Sequence, residues 1–319
     1  MKKGHNDMHA KRIAVIGGAG FIGSHLVDKL VEMNYRVSVI DDLSTGREEN
    51  VNKATRFYNM KAESADLLNV LVDDSIYLVF FLAANSNVPL SVRDPLFDFR
   101  SLNCAINVID KCRHSNVRRF IFTSSGFIYG NTKNRPITED EPYKPVSPYA
   151  ISKKSIEHYL AFYREVYGLT YVVLRLATVY GPRQISGALA DYIRKLAGGE
   201  QAEFFGDGSK TRDYIYIDDV VEALLMSMSL PDSHDPIYNI GSGKEIELLT
   251  VYRKIAEMLG RKPEPVFQPD RLGELYGYSL SYAKANRDLG WQPRTCLDEG
   301  LQRILIHKGL LPNNCDPNQ

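Results

Sequence analysis

The sequence predicts an α/β protein built on a doubly wound parallel β-sheet, with a smaller lobe supplied by the C-terminal part of the chain. Three observations carry this reading. Short runs rich in Val, Ile and Phe alternate with amphipathic stretches of helical period, strand then helix then strand. A glycine-rich segment, Gly17-Gly-Ala-Gly-Phe-Ile-Gly23, falls between the first strand and the first helix. After about residue 176 the strands shorten while Gly, Pro and aromatic residues rise, as in a less regular lobe set over the carboxyl edge of a sheet.

In chain order, 12–16 reads as a strand, 23–34 as a helix and 36–40 as a second strand. Residues 77–82, 119–123 and 169–175 are candidate buried strands, and 95–114 and 148–167 have helical periodicity between them. This divides the chain into 1–176 and 177–319, with some segments of the second part expected to return to the first. Pro263, Pro265 and Pro269 mark a loop-rich stretch, and the polar tail 312–319 is expected to fray.

Lys+Arg and Asp+Glu each number 39 in 319 residues, so the net charge is zero. That balance argues against a nucleic-acid or membrane-surface binder, yet two or three arginines suffice to grip a diphosphate. Cys104, Cys112, Cys296 and Cys315 are scattered without CxxC or metal-ligand spacing, as expected of reduced thiols and no metal. The first twelve residues are polar and charged, without the apolar core of a signal peptide. The longest apolar run, 76–84, is too short to span a bilayer. The expectation is a soluble cytoplasmic protein.

Gly17, Gly20 and Gly23 between strand and helix permit a tight turn and close approach of a pyrophosphate. Phe21 and Ile22 lead into the helix, whose start offers free N–H groups and a positive dipole end to that anion. Asp41 and Asp42 end the second strand, where an acid accepts the adenosine ribose hydroxyls and repels a 2′-phosphate. The Rossmann cofactor is therefore expected to be NAD, with Arg47 moderating that preference. Asp66 and Leu67 either meet the adenine or form a plain surface turn.

Tyr149 and Lys153 lie four residues apart on one face of a helix opening after Pro148. A free tyrosine, with a pKa of about 10, is a poor base near neutrality. A neighbouring ammonium and a positive nicotinamide favour the phenolate. Thr123-Ser124-Ser125 ends a strand, and a hydroxyl there can hydrogen-bond a reacting alcohol or ketone.

These residues resemble the extended short-chain dehydrogenases/reductases, in the NAD-dependent epimerase/dehydratase group acting on nucleotide sugars. Beyond the glycine turn, the matching segments include Asp41-Asp-Leu-Ser-Thr-Gly46, Thr123-Ser-Ser-Gly-Phe-Ile-Tyr-Gly130 and Ser147-Pro-Tyr-Ala-Ile-Ser-Lys153. Further matches are Val179-Tyr-Gly-Pro182, Gly206-Asp-Gly208 with Arg212-Asp213, and Tyr238-Asn-Ile-Gly-Ser-Gly243. The resemblance implies that Tyr149 takes the proton of a sugar hydroxyl, most often at C4, while that carbon gives hydride to NAD. It assigns Ser125 to the sugar oxygen, Lys153 to the nicotinamide ribose, and Ala83, in the segment after the fourth strand, to the cofactor. Arg212 and Arg271 match positions that clamp a nucleotide diphosphate. Tyr278 matches one that limits room at the sugar 2-substituent, which suits an unmodified hexose or uronic acid. Phe204 and Phe205 either line the base pocket or form a buried strand. Family members commonly pair as homodimers through two helices per subunit, here 95–113 and 148–167.

The family's dehydratases carry an acid pair after the strand, whereas Ser125, Gly126 and Phe127 offer no carboxylate. Glu139, Asp140 and Glu141 read as solvated charge. Epimerisation is therefore favoured, with a UDP-sugar 4-epimerase as the expected activity. A 2-epimerase, reductase or dehydratase on the same scaffold, or a non-catalytic NAD sensor, are the alternatives. Three departures from the family pattern bear on substrate. Thr178 stands where a phosphate-holding Asn is usual, Phe81-Leu-Ala-Ala84 replaces His-x-Ala-Ala, and Ser101-Leu-Asn-Cys-Ala105 replaces Asn-x-x-Gly-Thr.

Overall fold

A computed structural model describes residues 12–84, 86–262 and 264–312. The expectations for the first eleven residues, for Pro263 and Cys315, and for the tail beyond Pro312 lie outside the described residues.

The chain runs β1 (Arg12–Ile16), α1 (Phe21–Glu32), β2 (Arg36–Asp41), β3 (Arg56–Asn59), α2 (Leu67–Asp73) and β4 (Ile76–Phe81). It continues through α3 (Val88–Arg93), α4 (Pro95–Arg113), β5 (Arg119–Ser125), α5 (Pro148–Tyr167) and β6 (Thr170–Leu176). Strand β5 extends through Ser125, which makes that hydroxyl-bearing residue its last. Helix α1 begins at Phe21, two residues before the expected start. Ser147 caps α5 by accepting the Ala150 N–H at 3.3 Å, Pro148 occupies its first turn, and Gly168, at φ 71°, ends it.

With β11 (Ile237–Ile240), the strands form one seven-stranded parallel sheet in the order β11-β6-β5-β4-β1-β2-β3. Its strands are nearly continuous apolar runs because helices cover both faces. Ile13 and Val15 of β1 join Leu26, Val27 and Leu30 of α1 on one face. Ala14 and Ile16 join Ala105 and Ile109 of α4 and Ile156 and Leu160 of α5 on the other. The strand order reverses between β1 and β4, which opens a crevice at their carboxyl ends.

The rest of the chain comprises β7 (Thr178–Tyr180), α6 (Ala188–Ala197), β8 (Glu203–Phe205), β9 (Thr211–Arg212), β10 (Tyr214–Tyr216) and α7 (Ile217–Ser227) before β11. After it come β12 (Ile246–Glu247), α8 (Leu248–Met258), β13 (Val266–Gln268), α9 (Ala283–Leu289) and α10 (Leu297–His307). Strand pairs β7–β10, β9–β12 and β8–β13 build the lobe, while β11 completes the main sheet beside β6. The stretch between Pro265 and Pro269, expected to be loop, holds β13, because Val266–Gln268 finds a partner in β8. Asp213 fastens the lobe: its carboxylate accepts the amides of Ser242, Gly243 and Leu280 and the Ser242 hydroxyl.

A buried polar network lies under β5 and β6. Glu157 accepts Arg175 through both oxygens, at 3.1 and 2.8 Å, with Ser124 at 2.6 Å and Lys154 at 3.0 Å. Glu139 corrects the expectation of solvated charge. It is partly buried, its Oε1 accepts the Asn239 amide at 2.8 Å, and its carbonyl accepts from Arg175. Glu141 is likewise engaged, by Thr132 and Asn134, because this loop folds back over the sheet edge; Asp140 stays exposed.

Candidate active site

The glycine turn sits at the crevice. Gly17 has φ +84°, and a Cβ there would come within 2.7 Å of the Ala83 nitrogen, so turn and post-β4 segment touch through backbone. A Cβ on Gly23 would collide with the Gly17 carbonyl oxygen. Gly20 is the N-cap of α1, and no acidic side chain occupies the first turn at Phe21, Ile22 and Gly23. These features fit a dinucleotide pyrophosphate: close backbone approach, a helix N-terminus and no competing anion. Gly23→Ala is expected to weaken NAD binding at least about tenfold, ~1.4 kcal/mol. Calorimetric titration checks this, and unchanged affinity would remove the helix start as the phosphate seat.

Asp41 ends β2 and is buried. One oxygen accepts the Ala19 N–H of the turn and the other the Leu43 N–H, both at 2.9 Å. A carboxylate has further lone pairs for a ribose hydroxyl. Asp42 is exposed and accepts the Ser44 amide, while Asp66 is an exposed residue preceding α2. Leu67 places its side chain in the core and donates its amide to the Ser64 carbonyl.

Ser125, Tyr149 and Lys153 converge beside Ala83. The Lys153 ammonium is buried, donates to the Thr123 carbonyl at 2.8 Å, and lies 4.7 Å from the Phe122 ring centroid and 5.9 Å from that of Tyr149. Burial lowers its pKa to about 8, against the opposing pull of Asp98 and Glu157. Burial also pushes the Tyr149 phenol up to about 12, with a hydrogen bond to Ser125 acting the other way.

On the lobe side, Phe127 stands edge-on to both Tyr149 and Tyr278, with centroids 6.3 and 5.4 Å apart. Tyr278 is buried and its hydroxyl pairs with the Thr178 hydroxyl at 3.0 Å. Arg212 donates to the Thr211 and Leu275 carbonyls and holds its guanidinium 5.7 Å from the Phe127 ring centroid. Arg271 lies farther out, 3.2 Å over the Phe205 ring and 3.9 Å from Glu274. Phe204 is core, stacked on Tyr192, whereas Phe205 is partly exposed.

Residues 13–241 match the NAD dependent epimerase/dehydratase family. The chain belongs to that family. It is 39% identical over 306 residues to a UDP-glucose 4-epimerase of Mycolicibacterium smegmatis, covering 92% of this chain and 97% of the relative. The structure of UDP-glucose 4-epimerase from Thermotoga maritima with UDP-glucose superposes with a TM-score of 0.89 at 40% identity, covering 93% of this chain and 98% of that one. The Thermus thermophilus UDP-glucose 4-epimerase complex with NAD gives 0.87 at 35%, with the same coverage.

Within this family member, sequence reasoning passed over Phe127 as a wall of the site, and Ser91 and Asp98 behind it. Phe127 had a signal, lying two residues beyond Ser125. Ser91, whose hydroxyl oxygen accepts the Tyr149 amide at 2.7 Å, had none. Among the described residues, no helix is long and apolar enough to cross a membrane.

Proposed function

We propose that the protein is a UDP-sugar 4-epimerase acting on a UDP-hexose or UDP-hexuronate with bound NAD. The observation that carries this reading is the convergence of Ser125, Tyr149 and Lys153 next to the glycine turn, with no carboxylate at 125–127. Bound NAD supplies a reversible hydride acceptor and a positive ring that favours phenolate. Tyr149 accepts the C4 hydroxyl proton and returns it after the keto sugar has presented its other face. Ser125 orients the sugar oxygen. Lys153, anchored on Thr123, keeps further N–H donors for the nicotinamide ribose and lends the phenolate its charge.

Arg212 and Arg271 would hold the diphosphate. Arg212→Ala is expected to raise KM about tenfold or more while changing kcat less, as initial rates will report. The Phe127–Tyr278 wall supports a sugar without a bulky 2-substituent.

The exposed apolar side chains Leu96 and Phe99 on α4 and Ile151, Phe162 and Val166 on α5 support a homodimer through these helices. Light scattering on the purified protein tests it.

Proton NMR and mass analysis with UDP-glucose, UDP-galactose, their N-acetyl forms and UDP-glucuronate test the function, with no reductant added. A new anomeric signal at unchanged mass is expected. Loss of a water mass would make the protein a dehydratase, and absence of turnover across the panel would favour the non-catalytic reading.

A further inference from the structure

Asp98 occupies the buried face of α4 with Ala105 and Cys112, and is only 1% exposed. Its Oδ2 has no hydrogen-bond partner among the described residues. A buried carboxylate left in this state needs a reason. Burial raises the Asp98 carboxyl, with Ser91 of α3 and the Lys153 charge pulling the other way, and the Ser91 oxygen accepts the Tyr149 amide at 2.7 Å. Ser152 of α5 donates to the Asp98 carbonyl at 3.3 Å. Asp98, Ser101, Tyr149 and Lys153 line one cavity, with Ala83 at its edge toward the glycine turn.

We propose that Asp98 is a positioning residue of the catalytic centre: across this cavity its carboxylate keeps the Lys153 ammonium charged, with Ser91 beside it at the start of the Tyr149 helix. The proposal rests on the reading of Tyr149 and Lys153 as the acid–base pair.

A buried ammonium without a counter-charge loses its proton. The groups facing Lys153 are few. Helix α5 contributes Tyr149 and Glu157, β5 the Thr123 carbonyl and the Phe122 ring, and α4 contributes Asp98. Glu157 is already committed to Arg175 of β6 and to Lys154. Asp98 in turn faces Ser91, Lys153, Tyr149, whose phenol its charge raises, and Asp94, the residue between α3 and α4. Asp98 is thus the carboxylate left to balance the lysine, whose pKa burial has brought to about 8. Removing its charge moves the loss of the Lys153 proton to lower pH.

The test is 13C NMR titration of protein labelled at the lysine Cε, with the Lys153 signal assigned by Lys153→Met, on wild type, Asp98→Asn and Asp98→Glu. Asp98→Asn is expected to lower the Lys153 midpoint by about one pH unit, and Asp98→Glu to keep it near wild type. The alkaline limb of the epimerisation rate should move by the same amount in Asp98→Asn. An unmoved midpoint in folded Asp98→Asn, or an equal shift in Asp98→Glu, would overturn the proposal. Asp98→Ser carries the same reading should Asp98→Asn not fold, and failure of both neutral variants to fold would make Asp98 purely structural. The titration needs no substrate. Absence of turnover by the wild type would sink the epimerase reading and leave the Asp98 result standing.

Discussion

Tyr149→Phe is expected to lower kcat about 10²–10⁴-fold while NAD stays bound. The substitution removes only the hydroxyl that meets Ser125, and leaves the ring edge-on to Phe127 and near the Lys153 ammonium. The pH profile separates this loss from a packing defect. The phenol is raised by burial, so the wild-type rate should climb with pH as phenolate forms, until Lys153 loses its charge near its pKa of about 8. The variant's residual rate should lack the rising limb. Retained activity would remove Tyr149 as the proton acceptor.

Glu157→Ala is expected to destabilise the fold by about 3–5 kcal/mol, because Arg175 would stay buried without its counter-charge. Arg175 is 2% exposed and takes both Glu157 oxygens. Burial by itself raises the Glu157 carboxyl; the hydrogen bonds and charge of Arg175, with Lys154 and Ser124, outweigh it and hold the carboxyl below its ordinary range. A depressed carboxyl contributes stability that is present at neutral pH and is lost as pH falls through the folded-state value. Urea unfolding at neutral and acid pH measures both the size and the sign. The double variant Glu157→Met with Arg175→Met should recover most of the loss, since an apolar pair replaces two desolvated charges. A single variant as stable as wild type would show that Arg175 finds another partner.

The glycine turn and the Tyr149/Lys153 pair were legible because each is local. The left-handed φ at Gly17, the close approach of Gly23 to the Gly17 carbonyl and the four-residue helical spacing are set within a few residues of chain. Glu139 was misread for the opposite reason: an acid in a polar loop looks solvated until Asn239 and Arg175 are seen against it. Asp98 also resembles ordinary helix-surface charge, although its register with Ala105 and Cys112 puts it on the apolar face.

Local sequence was enough for the alternation of strands and helices, the strand-to-helix glycine turn and the placement of Tyr149 and Lys153 one helical turn apart, since propensity, periodicity and glycine freedom act over a few residues. The assembled fold was needed to show that β11 closes the sheet beside β6, that Thr178 meets Tyr278, and that Phe127 stands between Tyr149 and Tyr278. Most of those contacts join residues far apart in the chain, and they form where burying apolar surface and pairing buried polar groups outweigh the entropy of closing long loops.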